Sequence, residues 1–190
     1  INNMFIQTES TPNPNSLKFI LDDYELCESP VEFNKSQECT HSVLADELFK
    51  IKGVENILFN KNCISVNKNE YTWDQLKASI LHVISDHINS GQPAIERKKI
   101  NSNELDIIQF DDDDTKVVTM INSILSSKIR PAIMQDGGDV TFIKYEGGTA
   151  YLSLKGSCAG CPSATVTLKN GIENMLKHHI PELKKVEQVI

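Results

Sequence analysis

The sequence of 190 residues lacks any long hydrophobic run: no apolar stretch approaches the roughly 20 residues that a membrane-spanning helix needs. Aromatic residues are also scarce, at 6% with a single tryptophan, and no stripe of Lys and Arg is interleaved with them. These absences argue against a membrane protein and against a nucleic-acid-binding surface. With 39% hydrophobic and 24% charged residues, the composition is typical of a globular protein, and the length favours two small cores.

Cysteine is scarce as well, and the cysteines are odd in number, at positions 27, 39, 63, 158 and 161. Their irregular spacing differs from that of a disulfide framework, so we expect a reducing compartment. The sequence begins with Ile1 rather than Met. We therefore expect that an N-terminal segment has been removed, either by truncation or by processing of a transit peptide.

Charge and periodicity divide the chain. Residues 1–114 have a net charge of -10, whereas residues 115–190 have a net charge of +3. The periodic spacing of apolar residues disappears between residues 94 and 114, and this segment ends in four adjacent aspartates. Their carboxylates repel one another, which favours a solvated tether over a specific divalent-cation site. We predict an N-terminal domain over residues 1–93, an acidic flexible linker over 94–114 and a C-terminal domain over 115–190.

The N-terminal domain is predicted to have the element order β-β-α-β-β-α, which is typical of a small α+β or α/β domain. Two short strands come first, then a helix with Ser42 as its N-cap residue, a hairpin and a longer amphipathic helix that Gly91 ends. The predicted ranges are 4–9, 16–21, 43–50, 54–59, 63–67 and 73–90.

The C-terminal domain is predicted to have the order α-β-β-α-β. Pro131 is expected to end or kink its first helix, and the run Asp136-Gly137-Gly138-Asp139 supplies the permissive backbone that leads into the first strand. Strands are predicted over residues 140–145, 149–155 and 186–190. The last helix starts near residue 162, and its predicted buried residues are Leu168, Ile172, Met175, Leu176 and Ile180.

Cys158 and Cys161 lie in the predicted loop between the second strand and the last helix, with Pro162 as a favoured first-turn residue. The free N–H groups of the helix start and the helix dipole are expected to stabilise thiolate over thiol. Gly156 and Gly160 would let the backbone approach a bulky inorganic core. The Cys-x-x-Cys spacing alone is compatible with zinc, iron-sulfur and disulfide chemistry.

Two thiols are half of the four protein ligands that a structural zinc ion or an iron-sulfur cluster normally takes. The C-terminal domain offers only His178 and His179 in addition, and adjacent helical residues diverge by about 100° around the axis. We interpret them as polar residues near a helix end. A homodimer would bring together four thiolates. The alternatives are a zinc-bridged structural dimer and a dithiol oxidoreductase, in which Cys158 is the nucleophile and Cys161 the resolving thiol.

Three C-terminal segments resemble the cluster-binding domain of the NifU-like (Nfu) iron-sulfur scaffold family. They are residues 129–140 (IRPAIMQDGGDV), 156–163 (GSCAGCPS) and 167–176 (TLKNGIENML). The run FIQTESTPNPNSLKF, residues 5–19, is similar to the N-terminal domain that accompanies it in mitochondrial and some bacterial members. The resemblance covers nearly the whole chain outside the acidic linker.

The resemblance implies a scaffold or carrier rather than an enzyme. Such a protein binds a labile 4Fe-4S cluster, or a 2Fe-2S cluster, between the Cys158 and Cys161 thiolates of two subunits. It receives the cluster from upstream assembly proteins and transfers it to apo-proteins such as lipoate synthase and aconitase-type targets. The implied location is the mitochondrial matrix, with a bacterial cytoplasm as the alternative.

The resemblance implies no ligand or catalytic role for the remaining candidate residues. The run Asp136 to Asp139 is interpreted as architectural rather than as a set of ligands. Cys27, Cys39 and Cys63 have no counterpart in the family, and we interpret each as a buried or incidental cysteine.

Overall fold

A five-stranded antiparallel sheet with the strand order β1-β2-β5-β4-β3 forms the first unit of the computed structural model. The structure describes residues 5–35, 41–96 and 112–189. The strands are β1 (Ile6–Ser10), β2 (Ser16–Leu21), β3 (Val31–Asn34), β4 (Val54–Phe59) and β5 (Cys63–Lys68), and the helices are α1 (Val43–Phe49) and α2 (Trp73–Ser90). The two helices and the sheet share one apolar core, which includes Phe19, Leu48, Ile64 and Ile80.

Local signals in the sequence explain the ends of both helices. The Ser42 hydroxyl accepts a hydrogen bond from the Ala45 N–H at 3.0 Å, which satisfies a free donor of the first turn of α1. Gly91 ends α2 with a φ of 71°, a left-handed conformation that glycine adopts without steric cost. Strand β3 was not predicted. It has only four residues, Val31-Glu32-Phe33-Asn34, and its pairing with β4 defines it.

The second unit contains a long helical segment, a three-stranded sheet and one further helix. The helical segment consists of α3 (Asp112–Ile124), a π-helical turn (Leu125–Ile129) and α4 (Arg130–Gln135). It is followed by β6 (Gly138–Glu146), β7 (Thr149–Gly156), α5 (Pro162–His179) and β8 (Lys185–Val189). Strand β7 lies between its two neighbours, antiparallel to β6 and parallel to β8. Helices and sheet enclose a core with Ile121, Leu152 and Leu176 at its centre.

The structure therefore confirms a two-domain α+β fold, and two details of the second unit differ from the sequence-based expectations. Helical structure continues past Pro131 to Gln135, because Pro131 stands in the first turn of α4, where a missing N–H needs no acceptor. Met175 is 39% exposed instead of buried, since it lies on the outer side of α5. None of the helices in the described part of the chain is long and apolar enough to cross a membrane.

The ends of the predicted linker also differ. Ala94 is buried in the core of the first unit and its carbonyl accepts a hydrogen bond from the Ser42 hydroxyl at 2.6 Å. At the other end, α3 begins at Asp112 rather than after residue 114. Residues 97–111 of the linker, together with Cys39 and Ile190, lie outside the described residues.

Candidate functional site

The loop between β7 and α5 brings Cys158 and Cys161 to the N-terminus of a helix, as predicted. Gly156 and Gly160 both have positive φ angles, 63° and 69°, and the Ala159 N–H donates to the Gly156 carbonyl at 3.0 Å. These conformations form a tight turn that a side chain at either glycine would strain. Cys161 is the N-cap residue of α5, with extended backbone angles.

Both thiols point into the protein. Cys158 is 6% exposed and Cys161 is 2% exposed, and neither forms a disulfide bond. The pKa of the Cys158 thiol is raised to about 11, chiefly by burial. The hydrogen bond with the Ser157 hydroxyl lowers this pKa, and the nearby carboxylates of Asp136 and Asp139 have smaller effects that raise it. The expectation that the thiolate would be stabilised is therefore wrong for Cys158, because burial disfavours the charged form and is the largest cause of the shift in its pKa.

The Asp136 to Asp139 run packs against the cysteine loop. The Ser157 N–H donates to the Gly137 carbonyl at 3.2 Å, and the Ser157 hydroxyl donates to the Asp136 carbonyl. A Cβ atom at Gly138 would overlap the Cys158 Sγ and would lie 3.1 Å from the Ile133 Cγ2. The run thus positions the loop through its backbone and through the absence of a side chain, which supports the architectural interpretation.

An ion pair that was not predicted from the sequence connects Asp139 of this run to Arg130 of the preceding helix α4. Arg130 Nε donates to Asp139 Oδ1 at 2.9 Å and Arg130 Nη2 donates to Asp139 Oδ2 at 3.1 Å. The Asp139 side chain is 3% exposed and that of Arg130 is 34% exposed. Both residues lie within the segment that resembles the scaffold family, but nothing in their spacing of nine residues indicated a contact.

In the part of the chain that the structure describes, no further candidate metal ligand completes a site with the two thiols. Within residues 5–35, 41–96 and 112–189, no group of three or more His, Cys, Asp or Glu side chains could hold a metal ion. His179 instead lies with its Nε2 3.1 Å from the Lys128 Nζ, and its ring contacts that of His178. The two histidines are exposed, which agrees with their interpretation as polar residues at a helix end.

Two cysteines of the first unit, Cys27 and Cys63, lie in a different setting. The half-buried Cys27 has its Sγ 3.5 Å from the Phe59 carbonyl oxygen, and Cys63 is buried at the start of β5. Burial raises the pKa of the Cys27 thiol to about 11 and also raises that of Cys63. Both are protonated thiols at neutral pH, which agrees with their interpretation as incidental cysteines.

Fold and site together define a class, that of two-domain α+β proteins with a Cys-x-x-Cys loop at a helix start in the second domain. Comparison with protein families gives two matches: residues 6–91 match the family "Scaffold protein Nfu/NifU N terminal", and residues 121–187 match the "NifU-like domain". The chain therefore belongs to the Nfu family of NifU-like iron-sulfur cluster scaffold proteins.

Curated relatives match almost the whole chain. It is 42% identical over 189 residues to the human "NFU1 iron-sulfur cluster scaffold homolog, mitochondrial", covering 98% of this chain and 72% of that protein. The Drosophila persimilis protein of the same description is 42% identical over 188 residues, covering 98% of this chain and 65% of that one. The chain thus spans about two thirds of the length of these relatives.

Among solved structures, the solution structure of a NifU-like protein from Saccharomyces cerevisiae is similar. It is 26% identical, covers 52% of this chain and 92% of that chain, and gives a TM-score of 0.47.

Proposed function

We propose that this chain is an iron-sulfur cluster carrier without a catalytic step of its own. Two copies bind one labile 4Fe-4S cluster through Cys158 and Cys161 of each, and the dimer transfers the cluster to apo-proteins. The observation that carries this proposal is the isolation of the two thiols: they share one loop, and no further metal ligand completes the site in the part of the chain that the structure describes. Four thiolates are the usual ligand set of such a cluster, so a second copy is required.

Binding requires the loop to open. Two thiols that are 6% and 2% exposed cannot both reach a cluster held between two chains, so their sulfurs have to turn outward. Gly156 and Gly160 flank the cysteines and can absorb the backbone rotation, since glycine adopts positive and negative φ angles about equally well. Ligation also removes a proton from each thiol, because the thiolate is the form that binds metal.

Release follows from the same arrangement. A cluster shared between two chains loses half of its ligands when the chains separate, and an incoming thiolate of an apo-protein can then take their place. Return of Cys158 and Cys161 to the protein interior restores their burial, which favours the protonated, metal-free form. Cluster binding by the loop is therefore reversible, because separation of the two chains removes half of the ligands.

The names of the relatives support a location and a class of partner. Proteins described as mitochondrial scaffold homologs match 98% of this chain, which supports a mitochondrial carrier, and we assign it to the matrix. Its proposed partners are upstream cluster assembly proteins and apo iron-sulfur proteins, lipoate synthase and aconitase-type enzymes among them.

Anaerobic reconstitution with ferrous iron and sulfide tests the proposal. We expect about one 4Fe-4S cluster per two chains, with the holo-protein at dimer mass. Cys158→Ser and Cys161→Ser are expected to lose the cluster. Cys27→Ser, which changes a half-buried thiol of the other unit, is the matched control and is expected to keep it.

Other outcomes would contradict the proposal in distinct ways. Full cluster content in a monomer, or in either variant of the Cys-x-x-Cys pair, would refute a site shared between chains. Zinc without visible charge-transfer absorption would indicate the zinc-bridged dimer, and catalytic disulfide reduction by the metal-free protein would indicate the oxidoreductase.

A further inference from the structure

Ser157 connects the cysteine loop to the end of α4. The pairing of β6 with β7 ends with Gly138 opposite Gly156. One residue further on, the Ser157 N–H donates to the Gly137 carbonyl at 3.2 Å, and the Ser157 hydroxyl donates to the Asp136 carbonyl. Ser157 is 3% exposed, so its hydroxyl has little access to water as an alternative partner.

Both acceptors of these bonds belong to the end of a helix. Asp136 is the C-cap residue of α4, and Gly137 follows it with a φ of 79°. Carbonyl groups at the C-terminal end of a helix have no acceptor role within the helix and need a donor from elsewhere. Ser157 supplies two such donors, although it lies 21 residues beyond Asp136 in the sequence. The cysteine loop thus acts as a cap of α4.

The side of the contact that belongs to α4 and β6 is held in place. Arg130 of α4 and Asp139 of β6 form a bidentate ion pair on either side of the turn. On the same turn, the Cys158 sulfur fills the space that a Cβ atom of Gly138 would occupy. Because this turn is fastened at both ends, opening of the site requires movement of the cysteine loop.

Opening of the loop breaks the Ser157 hydroxyl bond. Gly156 has a positive φ and tolerates a wide range of backbone angles, so it is the point at which the loop can rotate. Ser157 lies between Gly156 and Cys158, so a rotation that turns the Cys158 sulfur outward also removes the Ser157 hydroxyl from the Asp136 carbonyl. A hydrogen bond of this kind changes an equilibrium constant by about twofold to tenfold.

We infer that Ser157 is a positioning residue for cluster uptake: its hydroxyl holds the cysteine loop in the thiol-inward conformation of the metal-free protein. Loss of its bond to Asp136 then lets Cys158 and Cys161 meet a cluster. This inference rests on the proposed function. The Ser157 hydroxyl lies 3.9 Å from the Cys158 Sγ and acts through the position of that sulfur, without being a ligand itself.

The first test measures how often the loop opens in the metal-free protein. Cys158 is alkylated with iodoacetamide, and the modified residue is located by mass spectrometry. In Ser157→Ala the reaction is expected to be about twofold to tenfold faster than in wild type. Because the hydroxyl also lowers the pKa of the Cys158 thiol, its removal alone would slow the reaction. Ser153→Ala, which removes a half-buried hydroxyl of β7, is the matched control and is expected to match wild type.

The second test measures cluster uptake. After addition of ferrous iron and sulfide, the initial rise of the charge-transfer absorption is expected to be faster in Ser157→Ala by the same factor as alkylation. The final cluster content is expected to equal that of wild type, because no ligand has been removed. Circular dichroism of the metal-free variants checks that both are folded. If Ser157→Ala is unfolded, hydrogen exchange of the Ser157 amide in wild type decides, since its opening constant is expected to equal that of Cys158 alkylation.

The outcomes separate this inference from the proposed function. If wild type takes up no cluster, the proposed function fails and the inference fails with it. If wild type takes up a cluster and folded Ser157→Ala matches it in alkylation or in uptake rate, the inference alone is overturned. Faster alkylation with a lower final cluster content would also overturn it, because Ser157 would then support the bound state. Unequal opening constants of the Ser157 amide and the Cys158 thiol in wild type would overturn it without any variant.

Discussion

Gly138 positions the Cys158 thiol by having no side chain. The space that a Cβ atom would occupy is taken by the Cys158 sulfur, and the Cys158 Cβ lies 3.1 Å from the same point. The φ angle of Gly138 is not in the left-handed region, so its backbone would tolerate other residues. Packing against the thiol, rather than chain conformation, is the reason for a glycine at this position.

Gly138→Ala is therefore expected to lower the free energy of unfolding of the metal-free protein by about 1 to 3 kcal/mol, the usual cost of an added methyl group in a filled core. It is also expected to reduce cluster content, since the displaced sulfur no longer fits against β6. Urea denaturation followed by circular dichroism measures the first effect, and iron analysis the second.

Gly171→Ala is the matched control, because its new methyl group faces open space. It is expected to stabilise the metal-free protein by up to about 1 kcal/mol, the helix propensity difference between the two residues. Equal stability of Gly138→Ala and wild type would show that the cysteine loop moves aside without cost.

At the scale of elements, the site depends on contacts between neighbours in the sequence. Arg130 belongs to α4 and Asp139 to β6, and their bidentate pair closes the turn that carries Gly137 and Gly138. The hydrogen-bond register of the helix changes in the π-helical turn before α4. There the Arg130 N–H donates to the carbonyl of Leu125, five residues back instead of four. This change of register precedes Arg130 directly and contributes to its position relative to Asp139.

Arg130→Gln is expected to cost about 2 to 4 kcal/mol of unfolding free energy, because it leaves the carboxylate of Asp139 buried without its cation. The cost stays below that of a fully buried pair, since a third of the Arg130 side chain is exposed. Lys144→Gln, which removes the exposed pair with Glu146, is expected to cost much less, because solvent screens an exposed ion pair. Chemical denaturation of both variants gives the comparison, and equal losses would contradict a structural role for Arg130.

The edge strand β8 is attached to α5 by carboxylates. Glu173 Oε2 accepts from the Val186 N–H at 2.9 Å, and Glu187 accepts from Lys169 at 2.8 Å. Hydrogen bonds from Lys169 and then Lys185 lower the pKa of Glu187 to about 2. A carboxyl group whose pKa is lower in the folded state stabilises the fold when ionised. Its contribution is complete above its ordinary pKa of 4.5 and disappears as the pH falls from there to about 2.

Glu187→Gln is expected to lower the melting temperature at pH 6 and to have progressively less effect as the pH approaches 2. Thermal unfolding of both proteins between pH 2 and pH 6, the range that contains both pKa values, measures the difference. A difference that is independent of pH would show that the carboxylate contributes through packing alone.

Across the whole molecule, the sequence predicted the order of most elements because periodicity, caps and glycines are local signals. The hairpin of β4 and β5, both caps and the strand-to-helix loop with its two cysteines all follow from such signals. Strand β3 and the outward position of Met175 were missed, because both depend on partners distant in the sequence. The position of Cys158 and Cys161 in one strand-to-helix loop could be predicted. The burial of the thiols and the ion pair of Arg130 with Asp139 could not, because a short motif does not show which residues cover a side chain.

The burial of Cys158 and Cys161 has a chemical consequence for the carrier between two deliveries. Peroxide and other oxidants attack cysteine as the exposed thiolate, and they convert it in steps to acids that no longer bind metal. A thiol that is almost inaccessible and stays protonated at neutral pH reacts slowly with such oxidants. In the carrier proposed above, burial thus keeps the two sulfurs in reduced form until the next cluster arrives.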